Sequence, residues 1–73
     1  DYLKIDGAII RGLDEDEVNQ AMVAAMVSLA RTMNIRVVAE HVETDTIFEA
    51  VRRMGVDFAQ GYAVGRPEPL KIQ

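Results

Sequence analysis

The sequence predicts an α/β fold in which three short strands alternate with two amphipathic helices, in the order β-α-β-α-β. Three observations carry that prediction. Apolar residues from Val18 to Met33 recur at three- and four-residue steps, the period of a helix with one buried face. Val37-Val38-Ala39 is an unbroken apolar run, the pattern of a strand covered on both faces. Ile47, Phe48, Val51 and Met54 then repeat the helical spacing before a third apolar segment. Such βα units make parallel sheet, and these few do not close one. The pattern reads as a slice of a barrel or of an open α/β domain.

Each element has its own local reason. Tyr2–Ile5 is β-prone and stops at the turn pair Asp6-Gly7. Ala8–Leu13 is an apolar connector with room for one helical turn. Asp14 is placed to cap the first long helix, with Glu17 three residues on as capping-box partner. Val18, Met22, Ala25, Met26, Leu29 and Met33 form its expected core face, and Gln20, Ala24, Ser28 and Arg31 the other side. Arg31 lies where a cation meets the negative end of the helix dipole, and Asn34 suits a left-handed helix end. Ile35–Ala39 is the second strand. Thr44 caps the second helix, which closes on Arg52, Arg53 and Gly55. Val56–Ala59 is the third strand, and Gly61, Gly65, Pro67 and Pro69 mark loop.

Composition narrows the function. The chain has 73 residues, and 49% hydrophobic with 27% charged residues is a globular composition. Eight Lys and Arg against twelve Asp and Glu give a net charge of −4, which offers no general attraction to a nucleic acid polymer or an anionic membrane. With no cysteine, thiolate metal sites and a Cys nucleophile are excluded. The apolar run Ala21–Val27 is far short of the ~20 residues that span a bilayer. The chain opens on Asp-Tyr-Leu-Lys without a signal-peptide pattern, as expected of a fragment or processed product.

In parallel α/β folds, ligands bind beyond the C-terminal ends of the strands. That rule collects Lys4, Asp6, Glu40, Glu43 and Gln60 on one rim. Carboxylates, a lysine and an amide suit a divalent metal, a positioned water and a phosphate. Charged residues also end strands simply because loops are solvated, and the pattern alone weighs these readings about evenly. Glu40 directly follows an apolar strand, and a carboxylate there needs a partner. Asp6 fits a turn, and Glu43 fits the N-terminus of a helix. His41, the single histidine, fits a loop better than a metal site, since no second His or Cys exists.

These segments carry a resemblance. Asp1-Tyr2-Leu3-Lys4-Ile5-Asp6-Gly7, Val38-Ala39-Glu40-His41-Val42-Glu43-Thr44, and Gln60-Gly61-Tyr62 with Arg66-Pro67 resemble, in order and spacing, the C-terminal part of the EAL family. That family comprises bacterial phosphodiesterases of cyclic di-GMP. The resemblance covers nearly the whole chain and implies the C-terminal βαβαβ slice of a modified TIM-type (β/α) barrel. It implies hydrolysis of one phosphodiester bond to the linear dinucleotide pGpG, with Mg²⁺ or Mn²⁺ as cofactor. It also implies roles residue by residue. Lys4 is similar to a lysine that positions the attacking water or the phosphate. Glu40 is similar to a glutamate that binds metal or polarises water, and Gln60 to an active-site glutamine. Glu43 is similar to a glutamate that orders the adjacent loop. Arg66 and Pro67 resemble a segment lining the guanine pocket. A cytoplasmic location follows for this segment, with any membrane anchor in other domains.

Two departures qualify the resemblance. The Glu-Ala-Leu signature, the Asn and Glu metal ligands and the paired aspartates lie upstream in the family, so these residues alone are expected to be inactive. His41 stands where the family has Gly, and if the backbone there is left-handed His fits it less well than Gly would. The alternative function is therefore a degenerate domain that binds cyclic di-GMP or a protein partner without catalysis. A barrel slice also leaves strand edges, expected at Tyr2–Ile5 and Val56–Ala59, and uncovered apolar side chains, expected at Met22, Met26, Ile47 and Phe48. The expected assembly is a homodimer.

Overall fold

The computed structural model describes residues 1–61 and the backbone of Glu68–Pro69. The elements are β1 (Tyr2–Ile5), α1 (Gly7–Ile10), α2 (Glu17–Met33), β2 (Arg36–Ala39), α3 (Asp45–Arg53), β3 (Phe58–Ala59) and β4 (Glu68–Pro69). They form one sheet in the order β1-β2-β3-β4. The first three strands are parallel, with Lys4 level with Val38, Ile5 with Ala39, and Ala39 with Ala59. β4 runs antiparallel to β3, pairing Phe58 with Pro69 and Ala59 with Glu68.

Two expectations about the strands are corrected here. Glu68–Pro69 is not plain loop, and β3 is not an edge strand, because β4 covers it. A proline is tolerated in β4 because an edge strand can spare a backbone donor. The third strand is also shorter than Val56–Ala59: Val56 N donates to Val51 O at 3.2 Å, so it still belongs to the helix exit.

The helix side of the sheet holds the core. Ile5, Val37, Ala39 and Ala59 pack there against Ile10, Leu13, Val23, Val27, Ala30, Val42, Ile47, Val51 and Val56. In α2 the buried residues are Val23, Val27 and Ala30, with Met26 half-buried. The expected face is thus rotated: Val18, Met22, Leu29 and Met33 are exposed at 67%, 43%, 56% and 58%. Two side-chain bonds fix the rotation. Asn19 Nδ2 donates to Ile9 O at 3.0 Å, and Gln20 Nε2 donates to Leu13 O at 2.9 Å, so two polar residues face inward to satisfy carbonyls. Ile47 is buried in α3 and Phe48 half-buried, so only Met22 of the four expected uncovered residues is exposed.

The α2 cap also differs from expectation. Asp16, not Asp14, is the N-cap, its Oδ1 accepting from Val18 N at 2.8 Å and Asn19 N at 3.3 Å. Glu15 N and Asp16 N both donate to Gly12 O, which keeps Asp14 in the preceding turn and prevents an Asp14–Glu17 capping box. The other helix ends follow the sequence. Asn34 ends α2 at φ 59°, and Thr44 caps α3 by accepting from Ile47 N at 3.1 Å.

Candidate functional site

The site lies where β1, β2 and β3 end. Parallel hydrogen bonding continues past the strands: Glu40 N donates to Ile5 O at 3.1 Å and Gln60 N to Ala39 O at 2.9 Å. Side chains alternate across a sheet, so Lys4, Val38 and Phe58 share the face opposite the helices, and Glu40 and Gln60 share it one pleat further on. Adjacent strands run about 4.8 Å apart, which makes Glu40 and Gln60 level neighbours. Lys4 stands two residues lower on β1, a rise of about 6.6 Å that its long stem can span.

Two cavities border this constellation. One of ≈ 240 Å³ is lined by Glu40, His41, Gln60 and Gly61. The other, ≈ 350 Å³, is lined by Tyr2, Lys4, Val38, Phe58 and Gln60. Gln60 borders both, so the sheet face and the strand-end rim are continuous. Tyr2 and Phe58 meet edge to face with ring centroids 5.7 Å apart, giving the lower cavity an aromatic wall. The structure thus gathers Lys4, Glu40 and Gln60.

It does not bring Glu43 to them. Glu43 is exposed and makes no hydrogen bond or ion pair among the described residues. Among the described residues the loop's contacts come from the residues beside Glu43. Val42 is fully buried, its N–H donates to Gln60 O at 2.9 Å, and Thr44 caps α3. Asp6 is exposed, and its carbonyl accepts from Ile9 N and Ile10 N at the start of α1. Arg66 and Pro67 lie outside the described residues.

Residues that sequence reasoning missed are the two glycines flanking the loop. A Cβ on Gly7 would lie 2.5 Å from Cδ2, 2.8 Å from Cγ and 2.9 Å from Cβ of His41. A Cβ on Gly61 would lie 2.6 Å from Val42 N and 2.7 Å from Val42 C. The segment His41-Val42 is therefore packed closely between the start of α1 at Gly7, where the His41 side chain fills the space of a Cβ, and Gly61, where the Val42 backbone does. His41 itself sits at φ 60°, in the left-handed region that Gly would occupy without strain. For a non-glycine residue that conformation costs of order 1–3 kcal/mol, and the surrounding packing has to offset it. The one signal in the sequence was Val42, an apolar residue isolated between charged ones.

Opposite the site, at the start of the sheet, Asp57 ties the elements together. Its carboxylate accepts from Arg31 Nη1 at 3.0 Å, Arg31 Nη2 at 3.1 Å and Val37 N at 2.8 Å. Arg31 Nη2 also donates to Gly55 O.

Oxygen donors at the rim suit a hard cation in kind and fall short in number. Glu40 and Gln60 offer a carboxylate and an amide oxygen, whereas Mg²⁺ takes about six oxygen ligands. Among the described residues no three carboxylate or imidazole side chains converge.

The sequence profile of the EAL domain matches residues 1–67. The chain belongs to the EAL family. Over 70 residues it is 46% identical to the cyclic di-GMP phosphodiesterase PdeF of Escherichia coli, covering 96% of this chain and 9% of that protein. It is 41% identical over 70 residues to the cyclic di-GMP phosphodiesterase PdeB of Shewanella oneidensis, covering 96% of this chain and 8% of PdeB. The fold agrees. The PaMucR phosphodiesterase in complex with c-di-GMP superposes with a TM-score of 0.82 at 44% identity, over 93% of this chain and 28% of that one. Klebsiella pneumoniae BlrP1, in a manganese and cyclic di-GMP complex, superposes with a TM-score of 0.86 at 33% identity, over 92% of this chain and 17% of BlrP1. The chain thus spans a small part of the EAL proteins it matches.

Proposed function

We propose that residues 1–73 are the C-terminal βαβαβ part of a TIM-type EAL barrel in a cyclic di-GMP phosphodiesterase. The observation that carries this reading is the shared cavity of Glu40 and Gln60 at the strand ends, with Lys4 on the same face, in a chain of this family. The substrate would be cyclic di-GMP and the product the linear dinucleotide pGpG.

Lys4 sets a positive charge beside the phosphate oxygens, where charge builds during attack. Gln60 orients the water or the phosphate through its amide. Glu40 would hold a divalent cation, Mg²⁺ or Mn²⁺, through a carboxylate oxygen, with Gln60 beside it. Such a cation, when bound, makes a water more acidic and neutralises phosphate charge. Glu43 orders the loop once neighbouring segments are in place, and Arg66 and Pro67 border the guanine. The protein works in the cytoplasm and pairs as a homodimer. No helix among the described residues is long and apolar enough to cross a membrane.

The test is hydrolysis of cyclic di-GMP by the complete protein with Mg²⁺ or Mn²⁺, followed by chromatography of the product. Release of pGpG, lost on Lys4→Ala and on Gln60→Ala, supports the reading. Tight binding of cyclic di-GMP without turnover would replace it with a binding domain, a reading that His41 in a left-handed position favours.

A further inference from the structure

We infer that His41 is a positioning residue for Glu40: its imidazole, seated on Gly7, clasps the end of β1 to the end of β2. The inference rests on reading Glu40 as a site residue of phosphodiester hydrolysis.

Four observations converge on it. His41 is held at φ 60°, so the chain turns sharply right after Glu40. The three atoms that a Cβ on Gly7 would meet first all belong to the His41 side chain, so ring and glycine fit each other. His41 lines the same cavity as Glu40 and Gln60. The next residue, Val42, is anchored on the far side by its bond to Gln60 O and by the close approach of Gly61. Glu40 is thus the residue before a loop fixed at both ends. Backbone bonds fix Glu40 N to Ile5 O and Val42 N to Gln60 O, and between them the imidazole seats the turn on Gly7. Remove the ring and the backbone bonds remain, Glu40 N to Ile5 O and Val42 N to Gln60 O, but the turn at His41 loses its contact with Gly7. The Glu40 side chain makes no hydrogen bond among the described residues that would aim it independently. The aim of its carboxylate then follows the backbone that His41 sets.

The inference makes a coupling claim that a residue acting alone would not satisfy. His41→Ala keeps the Cβ, and so the left-handed strain, but loses the ring. In the complete protein it should lower kcat about tenfold with KM within about twofold, because binding contacts stay while alignment is lost. Gly7→Ala pushes a methyl into the ring and should lower kcat by a similar factor. His41→Gly removes all three clashing atoms, so adding it to Gly7→Ala should return kcat to within about threefold of His41→Gly alone. Gly61→Ala should not be rescued by His41→Gly, since its clash is with the Val42 backbone. Additive losses in the double variant, or an unchanged kcat in His41→Ala, would overturn the clasp. Rescue also guards against Gly7→Ala failing to fold, since recovered folding in the double variant is itself the expected result. Wild type, Gly7→Ala, His41→Gly and their double variant are also read by amide exchange at Val42. Coupling between positions 7 and 41 there, in a wild type that does not hydrolyse cyclic di-GMP, would sink the functional reading and leave the clasp standing. Absence of coupling in a wild type that does hydrolyse it would sink the clasp alone.

Discussion

At the scale of single residues, the site is defined by what the backbone places and not by bonds among side chains. Lys4, Glu40 and Gln60 reach one rim because three parallel strands end in register and alternate their side chains in phase. Their functional groups are therefore available to a ligand. Glu40→Ala in the complete protein should lower kcat at least about 100-fold, roughly 2.7 kcal/mol of transition-state stabilisation. Its melting temperature should hardly move, since the Glu40 side chain holds nothing together. A near-normal kcat would return Glu40 to the loop as a solvated residue. Asp57 is the opposite case. It neutralises Arg31 bidentately and satisfies the Val37 N–H, and it lies far from the rim. Asp57→Ala leaves a half-buried donor unpaired and should cost about 1–3 kcal/mol in urea unfolding, with kcat unchanged in the fraction that folds. Equal stability of the variant would mean that water replaces the carboxylate.

Helices and strands were legible in the sequence to different depths. Order and type came through because periodicity and cap residues are local: Thr44, Asn34 and the apolar face of α3 stand where their chemistry predicts. The rotation of α2 did not. Val18, Met22, Leu29 and Met33 keep a perfect helical spacing, yet the smaller Val23, Val27 and Ala30 meet the sheet. What decides between two apolar stripes is tertiary: Asn19 and Gln20 satisfy carbonyls of α1 and the turn after it. The cap moved for a similar reason, because Gly12 O captures the N–H groups of Glu15 and Asp16. The rim residues were legible because strand ends are legible. The two glycines were not, since a close approach between distant segments leaves no periodic trace. Asp16→Ala should cost about 1 kcal/mol of stability, and Asp14→Ala stay within about 0.5 kcal/mol, in chemical denaturation. The reverse order would restore the cap that the sequence suggested. On α3, Arg52 hydrogen-bonds Glu49 and lowers the carboxyl below its ordinary 4.5. The folded state thus favours the charged form. Its contribution is present above pH 4.5 and is lost as pH falls through the lowered folded value. In an exposed pair the effect is small, so Glu49→Gln should flatten the acid limb of the stability curve only slightly.

At the scale of the whole molecule, two properties follow from how much surface the 73 residues leave open. The first concerns activity. Glu40 and Gln60 are too few to hold a hard cation, so the chain by itself should release no pGpG with Mg²⁺ or Mn²⁺. Turnover matching that of a complete protein would refute this. The second concerns association. Along one flank of α2, Val18, Met22, Leu29 and Met33 form an apolar stripe that no described element covers. Among the described residues β1 pairs only with β2, so its other edge presents N–H and C=O groups that no described strand covers, while β3 is shielded by β4. A free strand edge recruits another strand, and an apolar stripe gains by leaving water. A second copy can cover either surface through a two-fold contact, the commonest closed arrangement. The isolated chain should therefore sediment as a dimer whose share grows with concentration. Leu29→Glu with Met33→Glu puts charge into the stripe, leaves the buried face of Val23, Val27 and Ala30 intact, and should shift the protein to monomer. A cooperatively folded monomer persisting at high concentration in the unaltered chain would show that the stripe and edge are tolerated in water.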